Sequence, residues 1–209
     1  MLGIHDFGVF LVTGIVLALT PGPDTFYILG RSIAQGRGAG VASALGISAG
    51  ALVHTFAAAL GLSALIAASA TAFLAVKLAG AAYLIFLGAR MLFSRRTAAG
   101  AIPATFSSSE TLVIFRQGLI TNVLNPKVAL FFLAFMPQFI DADSTHKFAA
   151  FLILGFSFII TGTVWCLCLA WFSGLLGDRL RGSTTFTDIL NRTAGALFVF
   201  LGVRLATTR

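Results

Sequence analysis

Residues 17–30 read LALTPGPDTFYILG and interrupt the first apolar run of the chain. Pro21 and Pro23 each remove a backbone donor and clash with the preceding turn, and Gly22 loosens the backbone between them. Asp24 follows at once. The composition decides what solvent this broken run meets. The chain has 209 residues, 58% of them hydrophobic and only 10% charged, with a mean hydropathy of +0.98. A soluble domain is about 25% charged. So little polar surface cannot cover a water-soluble globule, and the chain reads as an integral membrane protein. In lipid, the carbonyls freed by the prolines cost several kcal/mol unless they find partners, so this segment is expected to face protein or a wet cavity.

A helix needs about 20 apolar residues to cross a hydrocarbon core of about 30 Å. Six stretches qualify, near Phe7–Gly30, Gly40–Ala67, Ala72–Phe93, Leu112–Ile140, Lys147–Ser173 and Thr187–Ala206. Runs such as AALGLSALIAASA (residues 58–70) do not alternate in polarity, which excludes a membrane β-barrel. The expected fold is an all-α polytopic membrane protein whose first and fourth helices are interrupted. The whole chain, 1–209, forms one transmembrane domain. MLGIHDFGVF has no basic residues before its apolar run and no A-x-A cleavage pattern, so it reads as a first helix and not a removable signal.

The basic residues are distributed unevenly. Arg31, Arg37, Arg90, Arg95, Arg96, Arg116, Arg179, Arg181 and Arg192 fall on one side of this arrangement. The other side has Lys147 among Asp141, Asp143 and His146, with Arg204 and Arg209 in the tail. By the positive-inside rule the first, third and fifth loops are cytoplasmic and both termini lie outside. The net charge of +7 is thus a topology signal and not a nucleic-acid surface. Ser107–Glu110 reads SSSE, the pattern of a capping box before the fourth helix, which accounts for Glu110 without a catalytic role.

The end of the third span, AAYLIFLGARML, resembles the end of the sixth, GALFVFLGVRLA. Ala82, Phe86, Leu87, Gly88 and Arg90 fall on Ala196, Phe200, Leu201, Gly202 and Arg204. The break at Leu19–Pro21 likewise has a counterpart at Leu124–Pro126. The chain therefore divides into two three-helix repeats, about 1–93 and about 112–209, joined by a loop of about 94–111. An odd number of spans per half makes the halves inverted relative to each other. Inverted repeats with interrupted helices in corresponding places point to a transporter that binds its substrate at the breaks.

The second break carries Asn122, Asn125, Pro126 and Lys127. Lys127 lies near the centre of its span, where a charge costs about 2.5–3.5 kcal/mol and needs a partner or water. Each break starts a half-helix whose N-terminal N–H groups favour an anion. Lys127 and its half-helix are thus suited to a substrate carboxylate, and Asp24 with the carbonyls freed near Pro21 to its ammonium. That describes a zwitterionic amino acid, with Asn122 and Asn125 orienting it. The plainer alternative is an Asp24–Lys127 ion pair that only holds two kinks together.

PGPD followed by GRSIAQGRGAGVASALGISAG, and later RQGLITNVLNPKVALFFLAFMPQF, resemble the LysE/RhtB family of bacterial amino-acid exporters over nearly the whole chain. The resemblance implies efflux of an amino acid or close derivative across the bacterial inner membrane by proton antiport. The Pro-Gly-Pro form is that of the homoserine/threonine type, which implies a neutral substrate such as homoserine, threonine or leucine. On this reading Pro21, Gly22, Pro23, Asp24, Asn122, Asn125, Pro126 and Lys127 form the substrate site, and Asp24 and His54 are the proton-coupling candidates. The partners are the amino acid, protons and the bilayer, with no cofactor and no nucleic acid.

Ala42, Gly46, Gly50, His54 and Ala58 recur every four residues, a small-residue stripe that lets helices approach closely and turns His54 into the bundle. His54 could relay protons there; a packed histidine with one hydrogen bond is the plainer reading. Small-residue faces would also serve a homodimer or only the fold. Lys77 can snorkel to the interface, and Arg90 and Arg204 end equivalent helices as anchors. GRGAG (residues 36–40) follows no strand and reads as a turn, not a nucleotide loop. A metal-cation exporter would want clustered His, Cys or carboxylates. A thiol–disulfide electron carrier would need cysteines able to pair, whereas Cys166 and Cys168 project about 200° apart on one helix. An intramembrane hydrolase would need a nucleophile and base at sensible spacing, and none stands out.

Overall fold

The helices break where the prolines fall. The computed structural model describes residues 3–62, 70–93 and 110–173, with scattered positions between 192 and 207. α1 (Phe7–Leu19) ends at Thr20, and α2 (Pro23–Gln35) begins with Pro23 in its first turn, where a missing N–H costs nothing. α3 (Arg37–Ala57) runs on through a widened turn, Ala58–Leu62, and α4 spans Ala70–Phe93. α5 (Thr111–Val123) stops before Asn125, and α6 (Pro126–Leu130) restarts on Pro126. α6 continues through a wide turn, Phe131–Phe135, and a tight one, Met136–Phe139. α7 spans Lys147–Trp171. The two interrupted pairs bend by 49° and 48°. The two breaks expected at the prolines thus carry nearly equal bends.

The protein is all-α; among the described residues the only β pairing is an isolated bridge between Ile4 and Ile140. Arg37–Gly61 and Lys147–Trp171 are each long and apolar enough to cross a bilayer, and each bent pair passes the same test as one span. Val12, Leu60, Ile160 and Val164 stand exposed on the outside, where lipid is the natural solvent. The expected sixth span lies largely outside the described residues. Its described Gly202 packs on α4 so closely that a Cβ there would lie 2.8 Å from the Ala81 carbonyl oxygen. The two segments whose sequences match are therefore neighbours.

The halves meet mainly where α3 crosses α5. A Cβ on Gly46 would come within 2.1 Å of the Phe115 carbonyl oxygen, and one on Gly118 within 2.8 Å of that of Ser43. Backbone rests on backbone, which is what the small-residue stripe predicts. Ala42, Gly46, Gly50 and Ala58 are all buried, and His54 is half-buried. On the N-terminal side of the first break, Phe10, Phe131, Phe132, Phe135, Phe139, Phe151 and Phe158 form an aromatic core, with Phe131 and Phe158 stacked at 4.8 Å.

Several boundaries differ from expectation. α2 continues to Gln35, so Arg31 is a helical residue only 4% exposed and not part of a loop. It bonds Gln117 of α5 and lies over the Tyr27 ring at 5.7 Å, so protein partners replace water around its charge. Arg116 likewise sits within α5. Glu110 is not the far partner of a capping box; it is itself the N-cap, with no side-chain cap, because α5 starts only at Thr111. Ser107–Ser109, the residues of the 94–109 loop, Arg179, Arg181, Arg204 and Arg209 lie outside the described residues, as do the side chains of Lys77 and Arg90.

Candidate functional site

Pro21 has no N–H to give the carbonyl four residues back, which is that of Leu17. The Lys127 ammonium takes that carbonyl at 3.0 Å and the Thr20 carbonyl at 2.8 Å. The carbonyls expected to receive a substrate ammonium are therefore occupied by a lysine from the other half. Gly22 makes room for it: a Cβ there would lie 3.2 Å from Lys127 Nζ. Pro126 in turn frees the Asn122 carbonyl, which accepts from the Asn125 N–H at 2.9 Å and meets His54 Nε2 at 3.1 Å. A carbonyl only accepts, so Nε2 carries the proton. The imidazole also stacks on Phe132 at 5.6 Å. The plainer reading of His54, a packed ring with one hydrogen bond, describes its geometry.

Asp24 and Lys127 do not pair. The Asn122 amide donates to Asp24 Oδ2 at 2.8 Å, while Asp24 Oδ1 is buried with no hydrogen-bond partner. Asn122 Oδ1 is buried without a partner as well, and so is the Asn125 amide nitrogen Nδ2, a donor whose side chain lies beside Asp24. Asp24, Lys127 and Asn122 line one open-mouthed cavity. Apolar side chains of α1, α3 and α7, notably Leu17, Ile47, Phe158 and Ile159, make up most of its remaining walls. Burying polar atoms unpaired costs about 1–3 kcal/mol each.

Of the eight expected substrate residues, the structure brings Asp24, Asn122 and Lys127 to the cavity. The others shape the breaks. Pro23 and Pro126 open their half-helices, and Asn125 caps the second one by accepting from the Lys127 backbone N–H at 3.1 Å. Pro21 and Gly22 release and clear the carbonyls that hold Lys127. Sequence reasoning missed the wall supplied by α7. Thr163, Trp165 and Cys166 line the cavity, and Thr163 shares a 2.7 Å hydrogen bond with Ser48 of α3. Trp165 sits only six residues from the end of its span, where a tryptophan is ordinary, so no signal in the sequence singled it out. Cys166 and Cys168 are both free thiols.

A kinked helix pair from each half, meeting beside a cavity lined by Asp24 and Lys127, is an arrangement suited to a membrane translocator. The LysE type translocator family matches residues 15–209, and the chain belongs to it. It is a transporter and not an enzyme. The chain is 31% identical to the leucine efflux protein of Salmonella choleraesuis (strain SC-B67), covering 98% of this chain and 96% of that one. It is 32% identical to the leucine efflux protein of Enterobacter sp. (strain 638), over 98% and 97%. An uncharacterized membrane protein of Pseudomonas aeruginosa shares 31% identity over 99% and 97%. No solved structure matches the chain.

Proposed function

We propose that this protein exports a neutral amino acid, of the leucine, threonine or homoserine kind, from the cytoplasm across the bacterial inner membrane in exchange for protons. The observation that carries this reading is the unpaired Asp24 carboxylate oxygen sharing a cavity with the Lys127 ammonium. A zwitterion satisfies both. Its ammonium donates to Asp24 Oδ1 and Asn122 Oδ1, and its carboxylate accepts the third N–H of Lys127, the other two being spent on Leu17 and Thr20. A fully charged basic side chain would find no second carboxylate among the residues lining this cavity. The names of the relatives support an amino acid of the leucine kind.

Proton exchange needs a group that binds a proton when substrate leaves. Asp24 serves, since it can hold either a substrate ammonium or a proton, and His54 lies one residue away through Asn122. With both termini outside, Arg37 and the loop of residues 94–109 face the cytoplasm. The test is leucine efflux from proteoliposomes with an imposed proton gradient. Wild type exports and an uncoupler stops it; Asp24→Asn loses at least a hundredfold, two lost charge-assisted hydrogen bonds being worth about 3 kcal/mol or more. Full activity in a normally inserted Asp24→Asn variant overturns the reading. His54→Gln, followed across pH, decides whether the imidazole takes part or only packs.

A further inference from the structure

Trp165 lies six residues before the C-terminal end of α7 and lines the cavity, and its indole nitrogen is buried with no hydrogen-bond partner. Two hydroxyls on that helix near the cavity are already bonded, and the Cys166 thiol beside them is free. Thr163 is bonded to Ser48, and Thr161 is bonded back to its own helix. An indole N–H donates and cannot accept. Its missing partner is therefore an acceptor, and the cavity's own spare oxygens, Asp24 Oδ1 and Asn122 Oδ1, are left unpaired rather than turned to it.

We infer that Trp165 is a substrate-positioning residue that donates its indole N–H to the carboxylate of a bound amino acid. The inference rests on the reading of the cavity as an amino-acid site and adds the residue that orients the substrate within it. An aliphatic amino acid carries acceptors only on its carboxylate, so the donor-only indole fixes which end of the molecule faces α7. The ammonium is then left to Asp24 and Asn122, on the side of α2 and α5. The side chain goes to the remaining wall, where Ile47, Ala51, Phe158 and Ile159 offer no hydrogen-bonding side chain. Three walls thus read three parts of the substrate. Lys127 alone would attract a carboxylate from any direction, because an ammonium is a point charge with freely rotating donors. The indole adds direction.

The experiment compares leucine with isoamylamine, which is leucine without its carboxylate, as competitors of labelled leucine efflux from proteoliposomes. In Trp165→Phe the ring stays and the N–H goes. Leucine is expected to compete about tenfold less well, the value of one hydrogen bond to a charged group, while isoamylamine changes by less than twofold. An equal loss for both, or no loss for either, overturns the inference. The chain has two tryptophans, so Trp171→Phe leaves Trp165 as the only indole emitter in an otherwise intact site. Trp171 lies at the far end of α7 beside Arg37, away from the cavity. In that variant leucine should shift the emission saturably and isoamylamine should not; absence of a leucine shift rejects the contact even where Trp165→Phe does not fold. If wild-type protein moves no amino acid at all, the export reading fails. If it does and Trp165→Phe behaves as wild type, only this inference does.

Discussion

At the second break the helix mends itself locally. Asn125 accepts from the backbone N–H of Lys127, and its own N–H turns back to the Asn122 carbonyl that Pro126 abandoned. At the first break nothing local does this work. Gly22 has no side chain to cap α2, and the Leu17 and Thr20 carbonyls reach across to Lys127. The two kinks have nearly the same angle, 49° and 48°, yet the second is mended mainly by its own Asn125, with His54 added from across, and the first is closed by the opposite half alone. The difference explains why the repeat carries opposite charges. With three N–H donors Lys127 satisfies two carbonyls at once and still keeps one, and the carboxylate it would otherwise pair with is left unpaired by it.

The sharpest way to break this comparison is Lys127→Met, which strands two carbonyls at the first break. We expect a loss of roughly 3–6 kcal/mol, at about 1.5–3 kcal/mol for each charge-assisted hydrogen bond. Thermal unfolding in detergent, followed by size-exclusion chromatography, should show it as a large fall in Tm. Unchanged stability would mean that the first break is mended some other way.

Gly46→Ala tests the seam between the halves without touching either break. Its Cβ would sit 2.1 Å from the Phe115 carbonyl oxygen, so α3 and α5 must separate. Overpacking of that kind costs about 1–3 kcal/mol, and the same thermal assay should rank it below Lys127→Met. A wild-type Tm would show that the close approach is not needed.

The smallest effects come from the caps. Asn125→Ala removes the side-chain acceptor at the second break and should cost about 1 kcal/mol. Gly22→Ala should cost less than about 0.5 kcal/mol, since a cap glycine is worth little and the added Cβ meets only the movable end of Lys127, at 3.2 Å. If the order of these two is reversed, the breaks are not capped in the different ways described. Ligand-dependent stabilisation offers a further check: leucine should raise the Tm of wild type and fail to raise that of Asp24→Asn, as expected when a ligand binds only the folded state.

Much of the site could be read before any folding was considered, because charges and prolines in an apolar run are costly and demand an explanation. Asp24, Asn122 and Lys127 stand out as candidates that way, and all three line the cavity. Their division of labour could not be. That Lys127 turns to carbonyls and not to Asp24 depends on how the two halves are packed, to within a few ångströms. Trp165, Thr163 and Ser48 were missed because no breaker marks their helices, and an aromatic or hydroxyl group in a span is as often packing as function. Arg31 was misplaced because positive charge near a span end normally means a loop, whereas here Gln117 and Tyr27 provide it with partners inside the bundle.

What the sequence determined by itself is the solvent, the helices and the places where they break. Apolar content decides the first, run length the second, and the absence of an N–H at Pro21 and Pro126 the third; each is a local property that no packing can undo. Tertiary structure alone decided who satisfies whom. Freed carbonyls accept from any donor within reach, and only the crossing of α3 over α5, backbone against backbone at Gly46 and Gly118, brings Lys127 to the first break and leaves Asp24 with an oxygen to spare.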